Sequence, residues 1–287
     1  MLWFYLSLTA AITLATVDAL SKHALEDSDE AVVAWARWGL ASPFLLLLLP
    51  FIEIPKLDMT FWYATALGIP LDAFALFLYV RAIKISPLSL SIPFMSLTPV
   101  FLIITSFLML GEFPDYSGTA GIMLIAAGAY LLNLNSSGRG ILSPFRALAK
   151  EKGSIYIIIV AFIYSISSNL GKIAILHSSP LFFAVIYTSL LSAVLFPVII
   201  IKRRVSIQSI STRPILFLSI GFIFAIMVLA HFSALRLTEV AYMIAVKRTS
   251  LIFSVIYGWL VFKEKHIRER ILGTIVMLTG VILITLF

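Results

Sequence analysis

Lys247 and Arg248 stand side by side near the middle of AYMIAVKRTSLIFSVIYGWLVF, residues 241–262, an otherwise apolar run long enough to cross a bilayer. A cation at the centre of a membrane helix costs about 2.5–3.5 kcal/mol on insertion scales. Such a pair needs either a resident carboxylate or a negatively charged molecule that comes and goes. On a continuous helix Ser250, Ser254 and Gly258 share the face of Lys247, a small polar stripe that turns the lysine toward the protein interior. Arg248 is turned about 100° further round. Lys247, Arg248 and Ser250 are therefore candidate substrate contacts, with Tyr79 and Tyr242 as candidate hydroxyl or aromatic contacts.

Other ionisable residues fall inside apolar runs. Asp72 lies mid-run in FWYATALGIPLDAFALFLYV, two residues after Pro70. Paired with Lys247 or Arg248 it is a structural counter-ion; unpaired, it is a coupling or gating group. Asp18 and Lys22 are one helical turn apart, and with Arg37 they suggest a local ion-pair network or a gate. His231 reads as a hydrogen-bonded spectator near a helix end.

Composition sets the class of protein that positions these groups. Of 287 residues 61% are hydrophobic and only 12% charged, against about a quarter in soluble chains. This is a polytopic, all-α membrane protein. The net charge of +7 sits in short loops between apolar runs, so it reports topology rather than nucleic-acid binding. With no cysteine there is no disulfide, haem attachment or thiolate metal site, and the four histidines lack metal-ligand spacing. No cofactor, metal or catalytic constellation is indicated, which argues against an enzyme acting on lipid.

Ten spans are expected, at about 2–22, 31–50, 61–82, 87–110, 116–134, 154–175, 180–201, 214–236, 239–262 and 269–287. The first is expected to be a membrane helix rather than a cleaved signal peptide. The fourth contains Pro87, Pro93 and Pro99, which predicts a bent, movable helix. The basic linker NSSGRGILSPFRALAKEKG, residues 135–153, falls halfway.

A shift of 152 lays the second half on the first without a gap from Arg81 onward, pairing Glu112 with Glu264, Gly121 with Gly273 and Gly128 with Gly280. Earlier, a shift of 150 pairs Lys22 with Lys172 and Ser42 with Ser192. The chain reads as two five-helix repeats, 1–135 and 154–287, joined by a cytoplasmic linker, 136–153. Five is odd, so the copies are inverted. The loops after odd-numbered spans hold 15 of the 21 lysines and arginines, which predicts them cytoplasmic and both termini outside. The glycine pairs of the fifth and tenth spans are expected at an internal seam or a dimer contact. Inverted repeats without a soluble domain are the plan of a secondary transporter with alternating access.

Two stretches resemble the ends of an EamA-type repeat: LGEFPDYSGTAGIMLIAAGAYLL (110–132) and FKEKHIRERILGTIVMLTGVIL (262–283). The resemblance covers nearly the whole chain, including Arg37 in the second span, and implies the drug/metabolite transporter superfamily. AVKRTSLIFSV (245–255) is similar to the V-K-R stretch of the triose-phosphate and nucleotide-sugar branch, which implies that Lys247 and Arg248 contact a substrate phosphate. The fourth span departs from that branch. The repeat mates of the pair are Met95 and Ser96, and it has no lysine, so an anion in general is implied rather than phosphate alone. The expected function is secondary transport of a small anionic metabolite across the cell membrane, by exchange or proton coupling, as a monomer or homodimer. An amino-acid, zwitterion or drug exporter and a lipid-headgroup flippase are the alternatives.

Overall fold

The computed structural model describes residues 1–85, 92–134, 152–201, 208–261 and 271–286; Pro87, Glu264 and most of the linker, including its arginines, lie outside them. Among the described residues there are helices and turns only. In chain order they are α1 (Leu2–Ala24), α2 (Glu30–Leu46), a 3-10 turn (Leu49–Phe51), α3 (Met59–Ile85), a 3-10 segment (Ile92–Leu97), α4 (Thr98–Leu110) and α5 (Tyr116–Leu134). The second half follows with α6 (Lys152–Leu176), α7 (Pro180–Ile201), the short α8 (Gln208–Thr212), α9 (Pro214–Leu237), α10 (Val240–Lys247), α11 (Ser250–Leu260) and α12 (Ile271–Leu286). Among the described residues seven helical stretches are long and apolar enough to cross a bilayer, and three shorter apolar helices, Phe94–Leu110, Tyr116–Leu131 and Ile271–Leu286, fall where the fourth, fifth and tenth spans were expected.

Two expected spans are broken where the sequence suggested bent or continuous helices. In the fourth, Pro99 has no amide to give the Met95 carbonyl, and the Thr98 hydroxyl takes that acceptor at 2.9 Å instead. Pro93 and Pro99 therefore sit in a 3-10 segment and in the first turn of α4 rather than inside a kinked helix. In the ninth, the ladder tightens at the charged pair. The amides of Arg248, Thr249, Leu251 and Ile252 all bond the carbonyl three residues back, at 2.9–3.1 Å. This corrects the expectation of one continuous helix through Lys247, Ser250 and Ser254. The second segments begin at Thr98 and Ser250, which are repeat mates 152 residues apart.

Contacts between the halves come in exchanged pairs. A Cβ on Gly121 would meet the Gly280 carbonyl at 2.7 Å, and one on Gly128 would meet the Gly273 carbonyl at 2.7 Å. Each glycine thus touches the mate of the other, as a two-fold arrangement requires. The glycines form the internal seam between α5 and α12, where only hydrogen side chains allow so close an approach. In the same way α1 packs along α9 while its mate α6 packs along α3. Buried polar clips follow suit. Asn169 of α6 accepts from Ser106 at 2.8 Å and donates to Thr105 of α4 at 3.1 Å. Thr16 of α1 bonds Tyr257 of α11, the mate of Thr105, at 2.8 Å.

The helix ends sort onto two faces. Trp3, at the start of α1, stacks on Tyr242, whose hydroxyl donates to Asp115 at 3.3 Å. His177 pairs with Asp58 at 2.6 Å, and Lys172 near the end of α6 pairs with Glu112 on this same face. Arg213 and Asp27 pair on the opposite face. The first helix of one half therefore begins where the first helix of the other ends, so the halves are inverted.

Candidate substrate site

The broken spans bring Lys247 and Arg248 against α9 and α4. Arg248, in the turn between α10 and α11, donates Nη2–H to Thr98 Oγ1 at 3.0 Å. Its Nε is buried and has no hydrogen-bond partner among the described residues. Lys247 Nζ lies 3.4 Å from His231 Nδ1 on α9. An ammonium only donates, so the imidazole nitrogen accepts when the lysine is charged. Both cations are held by neutral partners. Among the described residues no carboxylate comes within 4.0 Å of either. Both side chains are partly buried. Ser250 is buried at the start of α11.

The acidic residues stand close by without neutralising the pair directly. Asp72 Oδ2 accepts from the Tyr187 hydroxyl of α7, while Oδ1 is buried with no hydrogen-bond partner among the described residues. The Ser167 hydroxyl is a second hydrogen-bonding neighbour of this carboxylate, and the charge of Lys247 acts on it from further away. Asp72 is thus near the lysine and not in contact with it, which differs from the ion pair considered from sequence. Asp18 is paired with Arg37 at 2.8 Å, one ion pair of the network considered there, and Arg37 Nε–H donates to Ser21 at 3.2 Å. The field of Asp18 reaches Lys247, Arg248 and Tyr79. Tyr79 of α3 and Tyr164 of α6 both lie within the field of Arg248.

Tyr242 is placed elsewhere. Stacked on Trp3 and bonded to Asp115, it belongs to the face formed by residues 111–115 rather than to the centre. Sequence reasoning also missed three members of the central group, Thr98, Tyr164 and Tyr187, and read a fourth, His231, as a spectator near a helix end. Two had a usable signal. His231 is the repeat mate of Tyr79, and Tyr187 stands at the position equivalent to Arg37 under the shift of 150. Each half therefore places a polar ring or guanidinium from its second helix against an acid on a neighbouring helix, Arg37 on Asp18 and Tyr187 on Asp72.

The profile of the EamA-like transporter family matches residues 1–134 and 151–286. The chain belongs to the EamA-like transporter family. Members are membrane transporters of the drug/metabolite transporter superfamily, not enzymes, and this EamA-like chain is a multi-pass membrane transporter. A solved crystal structure of another protein shares its fold, with a TM-score of 0.77 over 99% of this chain and 96% of that one, at 15% identity. Among curated proteins none matches the sequence.

Proposed function

We propose that this EamA-like transporter carries a small organic anion, bearing a phosphate or a carboxylate, held by Lys247 and Arg248 at the paired helix breaks. One observation carries the reading. Two adjacent cations lie deep in the bundle with only neutral hydrogen-bond partners, and the Arg248 Nε has none among the described residues. Fixed charges so placed are costly unless a ligand compensates them. The short turns at Thr98 and Ser250 add the N-terminal ends of α4 and α11, which favour negative charge.

The halves, 1–135 and 154–287, rock about this site, with the linker 136–153 on the cytoplasmic side and both termini outside, as the lysine and arginine bias favours. The membrane is the cytoplasmic one, and transport proceeds by exchange or with a proton.

A second reading rests on Asp72. Its unpartnered Oδ1, within the field of Lys247, offers an acceptor for an ammonium, so a zwitterion would satisfy both poles. Thermal-shift titration of the purified protein against inorganic phosphate, phosphorylated metabolites, dicarboxylates and amino acids separates the two. Stabilisation by anions that disappears in Lys247→Ala supports the first. Stabilisation by amino acids alone, lost in Asp72→Asn, selects the second. Anion stabilisation that persists in Lys247→Ala sinks the first.

A further inference from the structure

Lys172, near the end of α6, is a buried cation, only 6% exposed. Its ammonium pairs with Glu112 Oε1 and donates to the Thr238 carbonyl at 2.7 Å. The other oxygen of Glu112, Oε2, accepts from the Val240 amide at 3.0 Å. These partners come from different spans. Glu112 directly follows Gly111, the left-handed residue that ends α4 (φ 71°). Thr238 follows α9, and Val240 opens α10. A single lysine–glutamate pair therefore fastens the ends of the fourth, sixth, eighth and ninth spans on one face. Beside it Arg236 donates to the Ile175 carbonyl at 2.9 Å, a second link between α9 and α6. Val240 and Ala241 are 0% and 1% exposed, so the bundle is sealed at this point.

The chemistry of this seal differs from that of the glycine seam. Apolar surfaces that separate are left facing water, and the whole contact is lost. A lysine and a carboxylate are stable in both situations, paired and hydrogen-bonded when buried, hydrated when apart. Glu239, next to Thr238, keeps a buried Oε2 with no hydrogen-bond partner among the described residues, and the charge of Lys172 acts on it without an ion pair between them. Lys172 and Glu112 are also among the few polar residues repeated in the other half of the sequence, as Lys22 and Glu264. Opening and closing a face is a task both inverted halves share.

From this we infer that the Lys172–Glu112 pair is a gate tie: the face formed by residues 111–115 and 238–240 is closed while the pair is made and opens when it separates. The inference does not depend on the charge of the cargo.

The chain has no cysteine, so spin labels at Tyr116→Cys and Leu176→Cys report only the chosen positions; these residues are 99% and 49% exposed. Pulsed electron resonance in lipid nanodiscs, without added ligand, reads the distance between them. Glu112→Gln keeps an acceptor for the Val240 amide and removes the charge; Lys172→Met removes the donor at similar length. Each is expected to raise the ratio of long to short distances about tenfold or more, the loss of one charge-assisted bond. A folded variant of either kind with the parent's distance distribution overturns the inference. Amide exchange in the unsubstituted protein is the second readout. Residues 111–113 and 239–241 are expected to open together, and exchange rates differing by more than about tenfold overturn it.

Discussion

Arg248 and Thr98 lie 150 residues apart in sequence, and the hydrogen bond between them, 3.0 Å long, joins the break in the ninth span to the break in the fourth. Thr98 also takes the Met95 carbonyl that Pro99 leaves free. One hydroxyl therefore both repairs a proline break and holds a guanidinium at the centre of the bundle. Thr98→Val removes both contacts and is expected to weaken phosphate or dicarboxylate binding about tenfold or more, the value of one hydrogen bond to a charged group. Thr98→Ser should restore it. Titration calorimetry with inorganic phosphate checks both, and equal affinities for the Val variant and the parent exclude the role.

Tyr187 and Asp72 form the second-half counterpart of the Arg37–Asp18 contact. Tyr187→Phe strips Asp72 of one hydrogen-bond donor and is expected to lower stability by about 1–3 kcal/mol. Asp72→Asn tests coupling instead. If Asp72 takes up the coupling proton, uptake by proteoliposomes loses its pH dependence in the variant; a pH profile like the parent's dismisses that role.

The seam between α5 and α12 makes a sharper stability forecast. Gly121→Ala would drive a methyl to 2.6 Å from Ile284 Cγ1 and 2.7 Å from the Gly280 carbonyl oxygen, and backbone cannot move aside cheaply. The expected loss is about 1–3 kcal/mol. Gly171→Ala meets only Phe183 at 3.7 Å, an ordinary contact, and should be tolerated. Melting temperatures of the two variants should separate clearly.

Two carboxylates at the ends of helices give opposite pH responses. Asp115 accepts from the Gly118 amide at 2.7 Å and from Ser117, which hold its carboxyl below the ordinary aspartate value. Its contribution is present above that ordinary value and is lost as pH falls through the lowered one. Burial, and then the neighbouring Glu112, raise Glu239 above the ordinary glutamate value, with Lys172 opposing. Its contribution is complete below that ordinary value and is lost as pH rises through the raised one. Asp115→Asn should therefore lower the melting temperature at pH 7, whereas Glu239→Gln should raise it there and leave it unchanged at pH 4. A fall for Glu239→Gln at pH 7 contradicts the assignment.

How much of this was legible beforehand varies with the residue. The Gly121 and Gly128 pairs were readable as packing positions because a repeated glycine at heptad spacing has little other use in a membrane helix. The Asp18–Arg37 pair was readable because both residues lie in adjacent helices near one end. Lys247 and Arg248 were conspicuous through their cost in the bilayer. The roles of Tyr187, Tyr164 and Thr98 were hidden, since aromatic residues and threonines are common in such helices and carry no charge to mark them.

The sequence by itself determined the membrane class, the doubled and inverted plan and the mid-span position of Lys247 and Arg248, because hydropathy, loop charge and repeat spacing are properties of the linear chain. Tertiary structure decided where the spans break, that Lys247 meets His231 rather than Asp72, that Tyr242 leaves the centre for Asp115, and that Lys172 fastens four helix ends. Those outcomes depend on which of several polar groups comes within about 3 Å once helices pack. Helical periodicity constrains a face, but it does not fix the depth and rotation of a partner more than a hundred residues away.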